Sequence, residues 1–531
     1  IYHMGREEKA DLILNRQAMA SHTFVTGSTG TGKSNAVYHL LDEITKDGRT
    51  SFLVVEPAKG EYKNVFGSRA DVKVFGTNPR ETPLLRINPF AFPQDIHILE
   101  HIDRLVEIFN ACWPMYAAMP AVLKDAIERS YQKVGWDLRN SESEKGVFPT
   151  FFDLLDILPG VIEESHYSKD TQSDYVGALC TRVKSLTNGI YGSVFCAEDA
   201  LSDAELFDCN VVVDLSRVGS METKSLLMGI LVMKLQEYRM CGSEMNSRLR
   251  HVTVLEEAHN LLRKTSAEQS QEGANLQGKS VEMLANAIAE MRTYGEGFII
   301  ADQAPGLLDM SVIRNTNTKI ILRLPDEEDR KLVGKSAGLK EAQIDELSKL
   351  PLGVAAVYQN EWPEAVLCQV KHYPIPENAV YCKPAEQTPV NTEFVLSHLA
   401  AGQKLEPLGV SEMEQLKLWL KRHEMMLKPE DGRYLEQVFA GGELDVAKTR
   451  KAVFDFFGGI STVVDYCAAA EKSFTPRKEF LEQLQGQYGL KAAAADWVLN
   501  SVISMGMSLN PDAKAVDNLR TNFEQQGGRV L

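Results

Sequence analysis

The chain lacks several features that would settle its class at once. No run approaches the roughly 18 consecutive apolar residues of a membrane-spanning helix, and no secretory leader is visible at the start. Its eight cysteines are scattered, with neither a C-x-x-C pair nor metal-ligand spacing, so a disulfide scaffold and a structural zinc site are both excluded. They fit a reducing, cytoplasmic setting. There is no excess of basic charge: the net value is −16, which argues against a surface coated for nucleic acid while leaving room for a small basic channel. Internal repeats and heptads are missing. No initiator methionine stands at Ile1, and residues 1–20 are expected to be a lead-in, the remnant of an absent N-terminal region. What remains is an ordinary globular composition over 531 residues, enough for two or three domains.

One stretch gives that composition a chemistry. His22 to Ser34 reads as a short apolar strand, a Gly-rich turn and a helix start, and the turn fits G-x-x-x-x-G-K-[ST] at Gly27, Gly32, Lys33 and Ser34. Glycines let the backbone wrap an anion, and successive N–H groups with the following helix N-terminus face it. Gly27, Ser28, Thr29, Gly30, Thr31, Gly32, Lys33, Ser34 and Asn35 are therefore the expected nucleotide contacts, with Lys33 on the β- and γ-phosphates and Ser34 on Mg²⁺. ATP and Mg²⁺ are the expected cofactors.

Further along, apolar runs at Ser51–Glu56, Val72–Phe75, Asn210–Leu215, His251–Glu257, Gly297–Gln303 and Thr318–Leu324 read as buried strands of a mainly parallel sheet. Val354–Tyr358 and Ala365–Val370 read as a closing hairpin. Helices are expected over Lys33–Lys46, within Ala121–Lys133 and Phe151–Glu164, and over Thr223–Arg239 and Ser280–Tyr294. Ile98, Ile102, Leu105 and Phe109 share one helical face, and Lys264–Lys279 is polar and expected to be mobile. Ser411 and Glu414 suggest a capping box, and Thr475-Pro476 a helix start. The domains expected are a core over 21–90 and 205–373, a helical insertion over 91–204, a proline-bearing linker over 374–391 and a helical region over 392–531.

Several side chains suit triphosphate cleavage. Glu256 and Glu257 end an apolar strand; Glu256 is assigned to the metal, where Asp is usual, and Glu257 to general base. Gln303 ends the next strand and can sense the γ-phosphate or orient water. Arg292 and Arg314 are candidates for a cation supplied by a neighbouring subunit, with the weight slightly on Arg292. Lys59 and Lys63 flank Gly60-Glu61-Tyr62 and are candidate DNA contacts in a pore, a solvated turn being the equal alternative. His259 is a packed helix-start histidine by default.

Taken in order, Gly27–Ser34, Glu56–Tyr62, Leu255–Leu261, Met291–Gly295, Ile300–Pro305 and Asn315–Leu324 resemble the HerA-like branch of the HerA/FtsK ATPases. The resemblance implies an α/β, RecA-like P-loop NTPase core with a helical insertion and a helical C-terminal region. It also implies a homo-hexameric ring and a double-stranded DNA translocase or helicase. By analogy with bacterial relatives, the partner would be a nuclease or a sirtuin-like NAD hydrolase in anti-phage defence. The alternatives are an ATP-binding scaffold that gates an effector, and a conjugation-type coupling ATPase.

Overall fold

Runs of β-branched and aromatic residues without polar alternation can be stable only as strands covered on both faces, and the computed structural model builds such a sheet. It describes residues 1–3, 6–7, 10–116, 118–143, 146–197, 200–265, 273–375, 379–383, 429–439, 445–457, 459–472, 475–488 and 492–530. By internal contacts the chain divides into two units, Ile1–Pro384 and Ala385–Leu531.

The first unit is organised by a nine-stranded sheet. Its strands are β1 (Thr23–Thr26), β2 (Ser51–Glu56), β3 (Val72–Gly76), β4 (Asn210–Asp214), β5 (His251–Glu256), β6 (Glu296–Asp302), β7 (Thr318–Ile321), β8 (Val354–Gln359) and β9 (Val366–Gln369). Their spatial order is β9-β8-β7-β1-β6-β5-β2-β4-β3. From β7 to β3 every neighbour pair is parallel, while β8 and β9 close the edge as an antiparallel hairpin. The expected hairpin and all the expected core strands are present.

Side chains alternate across the sheet with period two. Phe24, Leu53, Val55, Val211, Val213, Leu255 and Ile300 face one side; Val25, Phe52, Val54, Val212, Val254 and Ile299 face the other. Helix α1 (Lys33–Thr45) covers the second side through Val37, Leu41 and Ile44. The first side is covered by α2 (Ile98–Cys112), α3 (Met119–Lys133), α4 (Phe151–Glu164), α5 (Met221–Gly242) and α6 (Gly273–Glu290). The stripe Ile98, Ile102, Leu105 and Phe109 is fully buried, which is why α2 holds: its apolar face lies over the sheet core. Thr150 and Asp153 form a reciprocal cap that fixes the start of α4.

Helix α6 departs from expectation. It begins at Gly273, inside the polar stretch expected to be mobile, and its final residues give way to a tight turn over Met291–Tyr294. Val281, Leu284, Ala285 and Ile288 provide the buried face that carries the polar first turn along.

In the second unit, helices Val446–Phe456, Gly459–Lys472, Pro476–Tyr488, Ala492–Leu509 and Ala513–Gln525 surround Phe454, Tyr466, Val498, Val502, Ile503 and Phe523. Thr475-Pro476 opens a helix as expected. The expected capping box at Ser411 and Glu414 and most of the 374–391 linker lie outside the described residues. Among the described residues no single helix is long and apolar enough to cross a membrane.

Candidate nucleotide-binding site

Parallel strands deliver their C-terminal ends to one edge, and ligands of such sheets bind there. Here that edge receives the loop after β1, Glu56 from β2, Glu256 and Glu257 from β5, and Gln303 after β6. The loop from Gly27 to Gly32 turns into α1 with Gly32 at φ 104°, a conformation that L side chains rarely adopt. Backbone bonds hold it: the Ser28 N–H donates to the Arg323 carbonyl at 3.0 Å and the Thr31 N–H to the Ser28 carbonyl at 3.2 Å.

Four side chains form a connected set above this loop. The Lys33 ammonium lies 3.5 Å from Glu257 Oε1. Gln303 Nε2 donates to Glu257 Oε2 at 3.1 Å, and Thr29 Oγ1 donates to Gln303 Oε1 at 2.7 Å. Glu257 is placed by its backbone, which adopts φ 45°, a left-handed conformation costly for a residue with a side chain. Behind it, His259 Nδ1 sits 2.9 Å from Asp302 Oδ2 and 3.6 Å from Glu257 Oε2. The hydrogen bond to Asp302 raises the His259 pKa above its ordinary value. These three groups could also gather round a cation, but Asp302 already accepts from the backbone N–H groups of His259 and Ala304.

A second cleft wall contains Ser34, Glu56, Ala58, Lys59, Tyr62, Glu256 and Glu257. Glu256 is buried, accepts a 2.5 Å hydrogen bond from the Tyr62 hydroxyl, and has its pKa raised by burial against the pull of the Lys33 charge. Ser34 and Glu256 therefore share a wall of hard oxygen donors, the ligand type that Mg²⁺ takes; the residues present fit that ion. Glu56, unremarked in the sequence as a site residue, stands on the same wall with its pKa pushed up to about 8 by burial. Its carboxylate accepts the backbone N–H groups of Glu61 and Tyr62 at 2.8 and 3.1 Å.

One expectation takes a different form. Lys63 is not an open phosphate contact: its side chain is only 12% exposed and its ammonium pairs with Asp214 at 2.6 Å and Glu81 at 2.9 Å. Lys59 is half exposed and lines the cleft itself. Arg292 and Arg314 are exposed and precede β6 and β7, so both lie at the sheet edge opposite the loop. There Arg292 lines a polar cleft with Asn15, Gln17, Asn246, Asn317 and Asn360. Sequence reasoning also missed Arg323 as a site candidate. It is exposed, and its carbonyl accepts from the backbone N–H and the hydroxyl of Ser28. Its place at the end of an apolar strand beside β1 was the available signal.

A phosphate-type loop on β1, acids at the end of β5 and an amide at the end of β6 define a RecA-like P-loop NTPase. Comparison with known proteins narrows this class. Residues 3–174 match the family described as the central domain of the helicase HerA. A probable helicase of Methanocaldococcus jannaschii is 23% identical over 390 residues, covering 68% of each chain. The DNA double-strand break repair helicase HerA of Sulfolobus acidocaldarius is 26% identical over 351 residues, covering 64% of this chain and 63% of that one. The fold is similar to VirB4 of Thermoanaerobacter pseudethanolicus, with a TM-score of 0.51 at 18% identity over 66% of this chain and 90% of the other. It is also similar to the plasmid coupling protein TrwB in complex with ADP and Mg²⁺, with a TM-score of 0.50 at 15% identity over 71% and 94%. Over residues 3–174 the chain thus resembles the HerA central domain, on a P-loop ATPase fold shared with VirB4 and TrwB.

Proposed function

We propose that this chain hydrolyses ATP at the β1–β5–β6 edge and uses the cycle to move double-stranded DNA, as one protomer of a homo-hexameric ring. The observation that carries the catalytic part is Glu257, held between Lys33 and Gln303. In this reading Glu257 takes the proton of the attacking water and Gln303 orients that water. Lys33 and the loop amides from Gly27 to Asn35 hold the phosphates, and Ser34 and Glu256 would hold Mg²⁺, which supplies charge neutralisation at the transferred phosphoryl group. Arg292 or Arg314 would reach this site only from a neighbour, because each lies at the far edge of its own sheet. Mixing an Arg292→Ala chain with a Glu257→Gln chain tests that arrangement: shared interfaces restore turnover if the arginine acts across them, and mixtures stay as inactive as their components if it does not.

The DNA part draws on the HerA relatives and on the order of motifs. Its test is the ATPase rate with and without long duplex DNA; a motor is stimulated by the duplex. A second reading, an ATP-binding ring that assembles and gates an effector with little translocation, is favoured by the net charge of −16 and by the enclosure of Lys63. A rate indifferent to DNA but dependent on a co-purifying nuclease or sirtuin-like enzyme would select it. A place in anti-phage defence rests on the family resemblance alone.

A further inference from the structure

We infer that Lys59 is a catalytic residue of the nucleotide site, a second lysine from the same chain that faces the γ-phosphoryl group, and not a DNA contact. This rests on the nucleotide-site reading above. Lys59 lines one wall with Ser34, Glu256 and Glu257. The ammonium is 4.0 Å from Glu61 Oε2, and the side chain is 51% exposed. That leaves the charge available to an anion entering the cleft.

The backbone beneath it is built to hold that position. Lys59 itself adopts φ 67°, followed by Gly60 at φ 68°. Lysine rarely adopts this left-handed conformation, so the backbone is held there against a local penalty. Three buried carboxylates maintain it. Glu56 accepts the N–H groups of Glu61 and Tyr62, Tyr62 donates to Glu256, and Lys63 is pinned by Asp214. Gly60 packs so closely that an added Cβ would lie 3.0 Å from Ser216 Oγ and 3.2 Å from Asp214 Oδ2. A loop that tracks a moving polymer gains nothing from being tied to the β2, β4 and β5 strand ends. A loop that presents a charge to the phosphate held by the neighbouring strand does.

The chemistry also calls for it. Glu56, Glu256 and Glu257 surround the site, and Lys33 is already paired with Glu257. A triphosphate brings negative charge to this wall, and hydrolysis redistributes that charge onto the equatorial oxygens of the γ-phosphoryl group. A pre-positioned ammonium stabilises this directly.

The test uses the full chain without DNA. Lys59→Ala should lower basal turnover about tenfold or more. It should also weaken a non-hydrolysable ATP analogue relative to ADP, because only the former carries the γ-group. Lys59→Gly, which suits the backbone conformation, should behave alike and guards against a folding defect, and Lys59→Arg should recover part of the rate. Duplex affinity at saturating analogue should stay unchanged. Basal turnover equal to wild type in both the alanine and glycine variants overturns the assignment, whether or not DNA affinity falls; a fall in DNA affinity with intact turnover would place Lys59 on DNA. Lys33→Ala serves as the control. If it still binds both nucleotides, the nucleotide site itself has been misplaced, a failure separate from that of Lys59.

Discussion

Replacing Glu257 by glutamine removes one negative charge and almost no volume. The amide can still accept the hydrogen bond from Gln303 Nε2, which now spans 3.1 Å to Glu257 Oε2, so the Thr29–Gln303 arm keeps its place. The proton acceptor is lost. General-base catalysis contributes about 10²–10⁴-fold, so turnover should fall by that factor, equivalent to about 3–5 kcal/mol of barrier. Binding should respond in the opposite sense. The Lys33 ammonium, 3.5 Å from Glu257 Oε1, loses its carboxylate neighbour, so ATP affinity should hold or rise. The assay is phosphate release at saturating Mg²⁺–ATP beside equilibrium binding of a fluorescent ATP. Turnover within about threefold of wild type would refute the reasoning, since a group that takes the proton cannot be so dispensable.

Other variants test the supporting parts. Lys63→Met strands Asp214, which is 3% exposed, and breaking a buried pair costs about 3 kcal/mol or more; the urea unfolding midpoint should drop, and an unchanged midpoint would mean the pair is not structural. His259 gains stability as a cation through Asp302, its pKa being raised above 6.5. That contribution is complete below the unfolded value of 6.5 and is lost as pH rises through the higher folded value. The stability difference between wild type and His259→Asn should therefore be largest in mild acid and shrink toward alkaline pH; a pH-independent difference from thermal melts contradicts it.

The sequence was most legible where stereochemistry dictates residue type locally. Gly32 must reach φ 104°, and Lys33 and Ser34 must follow it at the helix start, so a linear pattern carries the whole loop. The β2, β4 and β5 strands were legible because burial on both faces demands unbroken apolar runs. Glu257 and Gln303 were picked out as candidates because each follows such a strand; their hydrogen bond spans 46 positions of chain, and only their strand-end positions made their proximity foreseeable. Lys63 was misread for the converse reason. Its partner Asp214 is 151 positions away, on a strand whose place beside β2 no local pattern reveals. Lys59 was read as a loop residue; its left-handed backbone and its place on one wall with Ser34 and Glu256 are not visible in residue spacing. Helix α6 began early for a similar reason: its polar first turn has no periodic signal, and the buried face lies downstream.

Every catalytic role assigned to these side chains requires triphosphate cleavage at the Gly27–Ser34 edge. The most direct measurement is phosphate release from Mg²⁺–ATP by the full chain and by its Lys33→Ala variant, each with its bound nucleotide quantified. Measurable turnover by the wild type, with nucleotide binding and turnover both lost in the variant, is the expected result. Equal binding and equal turnover in the two chains would contradict it.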